Sequence, residues 1–174
     1  MTSPAGSISL AQELLRDTLA ASATFRTWTG TISAAAAEAR IYHDDLPVPA
    51  DKAEYTLAEL VAYRPMAIIQ TDEDGGYVVE QDSVGSSFDF DEHGKLWLCL
   101  EQAVSVALAT QNAELLLQFR NTFGQILDDI RALAGTPGYL AIRRARVFGP
   151  YRMHPDKSTR QGDAVWVWIH IEWR

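Results

Sequence analysis

The chain has 174 residues, 47% of them hydrophobic and 10% aromatic, and carries a formal net charge of −8 at pH 7. That is enough apolar material for the core of one domain and too much for a disordered chain, while 11 glycines and 7 prolines exclude a collagen-like or low-complexity architecture. A single cysteine, Cys99, excludes an internal disulfide and a cysteine-built zinc site.

No run approaches the roughly eighteen uninterrupted apolar residues of a membrane helix, so no membrane span is expected. The first stretch has no basic segment followed by an apolar one, so no signal peptide is expected either.

Charge is distributed unevenly. Residues 1–130 hold seven Lys/Arg against twenty Asp/Glu, a net of −13, whereas residues 131–174 hold eight against three, a net of +5. Such a split points to partners rather than to fold. Three explanations stay open: pairing within one monomer, head-to-tail contact between subunits that closes a ring, and nucleic-acid binding by the basic segment. The overall negative charge opposes the last.

In chain order, residues 1–8 are small and polar and read as a flexible arm. Ser9 with Gln12 fits a capping box, and Leu10, Ala11, Leu14, Leu15 and Leu19 recur at helical spacing, which predicts a helix over about 10–23. Phe25 and Trp28 follow as apolar anchors before Gly30. Ser33 to Glu38 suits a short Ala-rich helix leading into a strand near Arg40 to His43. Residues 44–64 read as an extended acidic, Pro-rich loop, part of which (Thr56 to Ala62) turns helical with Thr56 as cap and Glu59 three residues on.

Met66 to Thr71 is a short apolar run and predicts a buried strand. Asp72 to Gly76 reads as a polar turn, and Tyr77 to Glu80 as a second strand. A hairpin is expected next, with Ser86 to Phe90 and Leu96 to Leu100 as its arms and Asp91-Glu-His-Gly94 as its turn. Cys99 then lies on a strand, as packing rather than as a nucleophile.

Residues 110–134 carry the clearest helix. Leu116, Phe119, Phe123, Ile126, Leu127, Ile130 and Leu133 share one face, and Gly135 with Pro137 forms the stop. Two strands close the chain, Tyr139 to Phe148 and Asp163 to Trp173. In the last, Val165, Val167, Ile169, Ile171 and Trp173 fall on one face and Trp166, Trp168 and His170 on the other. A strand apolar on both faces is either central in its sheet or covered by a neighbouring subunit. The order of elements predicts a single α+β domain whose mainly antiparallel sheet has the N-terminal helix and the long helix on one side.

No motif argues for catalysis, and no cofactor is expected. The four histidines, at positions 43, 93, 154 and 170, are too far apart for a two-histidine helical metal site. Asp72-Glu-Asp-Gly opens like a calcium loop but lacks its alternating oxygen ligands and distal glutamate, so a solvated turn is expected. Glycine-rich phosphate loops and a Gly-x-Ser-x-Gly elbow are absent, and Val84-Gly-Ser-Ser87 has no base at a recognisable spacing. Asp128 and Asp129 are neighbours about 100° apart on a helix, which suits a solvated face. The most distinctive charged cluster is Arg143-Arg-Ala-Arg146. Arginine suits planar pairing with carboxylates and phosphates, yet an edge strand also uses charge to block aggregation, and both roles stay open.

Phe119-Arg-Asn-Thr-Phe-Gly-Gln-Ile126, Leu133-Ala-Gly-Thr-Pro-Gly-Tyr139 and Phe148-Gly-Pro-Tyr-Arg152 together resemble the tail terminator proteins of long-tailed bacteriophages, the minor tail protein U-like family. Phe25-Arg-Thr-Trp28 and Arg40-Ile-Tyr42 before an acidic loop fit the same pattern, and the resemblance runs over roughly residues 10–174 in element order. It implies a virion protein, assembled in the host cytoplasm, that forms a homo-hexameric ring on the tail-tube protein. Such a ring stops tail polymerisation and offers a surface to the neck or head-completion protein, while double-stranded DNA passes through its lumen without sequence-specific binding.

The family supplies no catalytic residues. On charge, the candidate interface residues are Arg143, Arg144, Arg146 and Arg152 on one side and Asp44, Asp45, Asp72 and Asp74 on the other. A head-completion ring of the same virion, and a host module binding a small ligand or nucleic acid, are the alternatives.

Overall fold

The alternation of the last strand sets the architecture: Val165, Val167, Ile169 and Ile171 are fully buried, while Trp166, Trp168 and His170 between them are half-buried. A strand that hides every second residue completely must have a layer packed on that side. The computed structural model describes residues 5–47, 55–72, 77–84, 87–104, 112–153 and 164–174.

Five helices are described: α1 (Ala5–Ala21), α2 (Ala23–Thr29), α3 (Ala34–Glu38), α4 (Leu57–Tyr63) and α5 (Asn112–Leu133). The six strands are β1 (Ile41–His43), β2 (Met66–Thr71), β3 (Tyr77–Val84), β4 (Ser87–Ala103), β5 (Ile142–Met153) and β6 (Ala164–Trp173). The sheet runs β1-β2-β4-β6-β5, with β3 paired to the first half of β4. Only β1 and β2 run parallel; β2–β4, β3–β4, β4–β6 and β5–β6 are antiparallel. The chain is therefore an α+β protein with a mostly antiparallel sheet, as its element order predicts.

One core holds it together. Leu15 and Leu19 of α1, Phe25 of α2, Ala37 of α3, and Leu115, Phe119, Ile126 and Ile130 of α5 bury against Ile69, Leu96, Leu98, Leu100 and the inward residues of β6. The expected one-sided helix layer holds for these four helices. The fourth in chain order stands apart: α4 meets Tyr42, whose neighbours Ile41 and His43 point the other way, through a ring contact of 5.8 Å from Tyr63. Its capping box, Thr56 with Glu59, forms as the sequence predicts.

Long-range polar contacts lock the helix layer. Ser22 caps α2 by accepting from the Phe25 amide at 3.0 Å and donates its own hydroxyl to Asp129 of α5 at 2.7 Å. The Thr24 amide also donates to Asp129, at 3.0 Å. Burial raises the pKa of the Asp129 carboxyl, but these hydrogen bonds outweigh it and hold the group below the usual carboxylate value. Asp129 thus belongs to a helix junction, whereas Asp128 remains on the solvated face beside Arg131. The Thr18 hydroxyl, fully buried, accepts from the Leu140 amide at 3.3 Å and ties α1 to the chain leading into β5.

Several expectations need correction. Residues 5–8 belong to α1 rather than to a flexible arm, so Ser9 lies inside the helix and does not cap it. Within 44–64, by contrast, the expected helical stretch forms, as α4 over Leu57–Tyr63 with Thr56 as its cap; residues 48–54 lie outside the described residues.

The hairpin is displaced most. Asp91 to Gly94 make no turn; they continue β4, and the hairpin partner is β3, paired from Tyr77↔Gly94 to Val84↔Ser87. Gly94 is demanded by packing instead. It lies opposite Trp173, and a Cβ there would stand 2.8 Å from the indole ring. Before Gly94, β4 pairs with β3 alone, since β2 pairing begins at Leu96 and β6 pairing at Gly94.

Candidate functional site

Among the described residues, two sheet edges and the face opposite the α1, α2, α3 and α5 layer are the least covered parts of the sheet. β5 pairs only with β6, and β1 only with β2, so among the described residues both strands are edges of the sheet. Four strand spacings, about 19 Å, separate them.

The β5 edge is basic. Arg143, Arg144 and Arg146 are all exposed, and none of the three forms an ion pair among the described residues. Register places Arg144 opposite Glu172 and Arg146 opposite His170, so these two share the face away from the helices. Arg143 falls in the irregularity between Ile142 and Arg144, where it lines a groove of about 320 Å³ with Leu127, Ile130 and Val147. Arg152 is set apart from the cluster: it is half-buried and pairs with Val165, whose side chain points into the core.

The β1 edge ends in an acidic corner. Asp44 and Asp45 are both exposed. Asp44 adopts φ 62°, a left-handed conformation that Asp tolerates because its short polar side chain bonds locally. The corner is held from several directions. The Asp44 amide donates to Ile69 O at 2.8 Å, and Gln70 Nε2 donates to Asp44 O at 2.7 Å. Asp45 Oδ1 accepts from the Leu46 amide at 2.7 Å, and the Tyr55 hydroxyl donates to Pro47 O. Gln12 Nε2 of α1 also donates to Asp44 Oδ1 at 3.3 Å, so the turn is fixed by bonds to backbone and side chains while both residues stay exposed.

The other predicted acidic residues behave differently. Asp72 turns inward and pairs with His170 Nε2 at 2.9 Å, each side chain being 12% exposed. Asp74 lies outside the described residues.

The sheet face opposite the α1, α2, α3 and α5 layer carries α4 at its β1 end and is aromatic toward β5. Trp97 meets Phe148 at 5.5 Å, Trp168 at 6.2 Å and His170 at 4.6 Å between ring centroids, and Tyr151 meets Trp166 at 6.0 Å. Trp97, Trp168, Phe148, Tyr151 and Gln70 line an open hollow of about 330 Å³. Phe148 and Tyr151 are exposed by 42% and 47%.

The alternation in β6 predicts this second apolar face. The contribution of Tyr151 has no such signal, because the irregularity between Phe148 and Tyr151 shifts it by one position onto the face of Trp166.

Charge is also held at the far end of the sheet. Arg64, 8% exposed, forms an ion pair with Glu101 of β4. Cys99 on the same strand is buried, and burial, with a smaller effect from the Glu101 charge, pushes its thiol pKa far up. A thiol in that setting stays protonated and packs rather than reacts.

Among the described residues no group of three or more His, Cys, Asp and Glu side chains is placed to hold a metal ion, and no helix is long and apolar enough to cross a membrane. Neither a comparison with protein-family models nor one with curated proteins finds a match for the chain.

Proposed function

We propose that this chain is a structural virion protein of a long-tailed bacteriophage, a tail terminator. Copies join into a ring, a hexamer on the family resemblance, that sits on the last layer of tail-tube subunits and ends their polymerisation. The far side of the ring receives the neck or head-completion protein, and double-stranded DNA passes through the lumen. The role is one of assembly, with no chemical step.

The observation that carries this reading is the placement of exposed charge. An arginine cluster lies on one open edge of the sheet, and an exposed acidic pair lies on the other. Surfaces that differ but complement each other make head-to-tail contacts, and such contacts close into rings when the rotation between copies allows. Charge complementarity sets orientation and encounter rate at such a contact and weakens as salt is raised.

Disrupting the gene and imaging the lysate by electron microscopy tests the reading. Overlong tails without heads are expected. Tails of normal length detached from filled heads overturn the terminator assignment in favour of a neck ring, and intact infectious virions overturn the virion role altogether.

A further inference from the structure

The strand register carries the charged edges further. His43 of β1 lines up across the sheet with Ile69, Leu98, Ile169 and finally Val147 of β5. The next row runs Gln70, Trp97, His170 and Arg146, and Lys95 and Arg144 both stand opposite Glu172. Asp44 and Asp45 follow His43 directly. The acidic pair therefore stands at one edge of the sheet at the same height along the strands as Arg146 and Arg144 at the other.

Direction matches as well. β6 runs the same way as β1 and β2, while β4 and β5 run against them. A second copy set beside the first in the same orientation brings its β1 antiparallel to β5.

We propose that the free edge of β5 in one copy pairs with the free edge of β1 in the next, so that a single β-sheet continues from subunit to subunit. The occupant of the β5 edge is a second copy of this chain, an assignment that rests on the ring reading above. In this contact the neighbouring copy's His43 lies opposite Val147 and its Asp44 opposite Arg146, while Asp45 comes level with Ala145, between Arg144 and Arg146.

β1 spans only Ile41–His43, so the backbone bonds it offers are few and each contributes modestly against water. The charges must then supply orientation and selectivity. Arginines on the open β5 edge repel a second β5 edge, which is how edge strands avoid indiscriminate pairing, yet they accept an acidic corner. That corner is already held by the Asp44 and Gln70 bonds, so little ordering is lost when it docks.

The test uses the full chain with His43→Cys and Val147→Cys, separately and together. Directly opposed residues of an antiparallel pair have Cβ atoms close enough for a disulfide, and buried Cys99 serves as the silent background. Under copper-phenanthroline oxidation the double variant gives a ladder of cross-linked multimers ending at the ring size, and neither single variant cross-links. In sedimentation velocity at low salt, Arg144→Glu raises the concentration needed for assembly by about tenfold. Adding Asp45→Lys to the same chain restores assembly.

Cross-linking by Val147→Cys alone means two-fold β5–β5 pairing and overturns the proposal. A wild-type oligomer whose double variant does not cross-link, and which ignores Arg144→Glu, overturns the strand contact while leaving the ring in place through another surface such as the aromatic face. A wild-type chain that stays monomeric at every concentration overturns the strand contact and the ring together.

Discussion

The two faces of the sheet are built from alternate residues of the same strands and reach opposite solutions. On one side Val165, Val167, Ile169 and Ile171 sit at 0% exposure under α1, α2, α3 and α5. On the other, Trp97, Trp166, Trp168 and His170 are only half-buried and lean on one another, with Phe148 and Tyr151 open to water. The first face is satisfied inside the chain. The second keeps large rings at the surface, where monomeric proteins seldom gather them without a use. The covered side holds the fold together, while the aromatic side is the face left more open among the described residues.

Substitutions separate the two sides most sharply at the centre of β6. Ile169→Ala removes a fully buried side chain under four helices, and a loss of about 2–5 kcal/mol is expected in denaturant unfolding, cavity cost included. A loss under 1 kcal/mol would mean that the covered face tolerates voids and that the contrast is weaker than its burial suggests. Gly94→Ala probes the same face by crowding. The added methyl meets the Trp173 ring at 2.8 Å, so a loss of about 1–3 kcal/mol is expected in the same measurement. An unchanged midpoint would show that the ring shifts freely and that glycine is not required there.

Gly94 also shows what was legible in the sequence. β2, β6 and the body of α5 show in periodicity because each has a core to face, and the requirement of that core is written into every second or every third to fourth residue. The run Asp91-Glu-His-Gly looks like a turn by composition, but β4 continues through it, paired only with β3 as far as His93 and with both β3 and β6 at Gly94. Pairing with β3 alone is a backbone property that composition does not write into those four residues. Along α5, Leu115 is buried while Leu117 is 57% exposed, a choice decided by how the helix lies on its neighbours.

The candidate site divides in the same way. The arginine cluster and the acidic pair are visible as residue types. Their equal height on opposite edges follows only from strand order and register. The Asp72–His170 pair, 98 positions apart, and the Ser22–Asp129 contact, 107 apart, have no local signal.

The Ser22–Asp129 contact gives a smaller and pH-dependent test of the covered side. Asp129→Ala removes the acceptor for the Ser22 hydroxyl and the Thr24 amide, and a loss of about 1–2 kcal/mol is expected at neutral pH. The carboxyl titrates lower in the folded chain than the ordinary value of about 3.9. Its stabilising effect is therefore full above that value and disappears as pH falls through the lower, folded one. Wild type and Asp129→Ala should differ at pH 7 and converge in acid. A gap that does not narrow at all as pH falls below the ordinary carboxylate value would mean that the contact acts by packing rather than by charge.

The smallest expected change in stability lies on the open face and completes the contrast. Tyr151→Ser removes a ring that is 47% exposed and touches Trp166 at 6.0 Å, so unfolding of the isolated chain should shift by no more than about 0.5 kcal/mol. Ile169 and Tyr151 belong to paired strands of one sheet, and the several-fold difference between their effects would follow from the face each occupies. If Tyr151→Ser instead costs about as much as Ile169→Ala, the aromatic face is a second core that stabilises the monomer, and its exposed rings are not held in reserve for a partner. A near-silent substitution leaves the Tyr151 ring with little part in holding the fold, in contrast to Ile169 on the covered face.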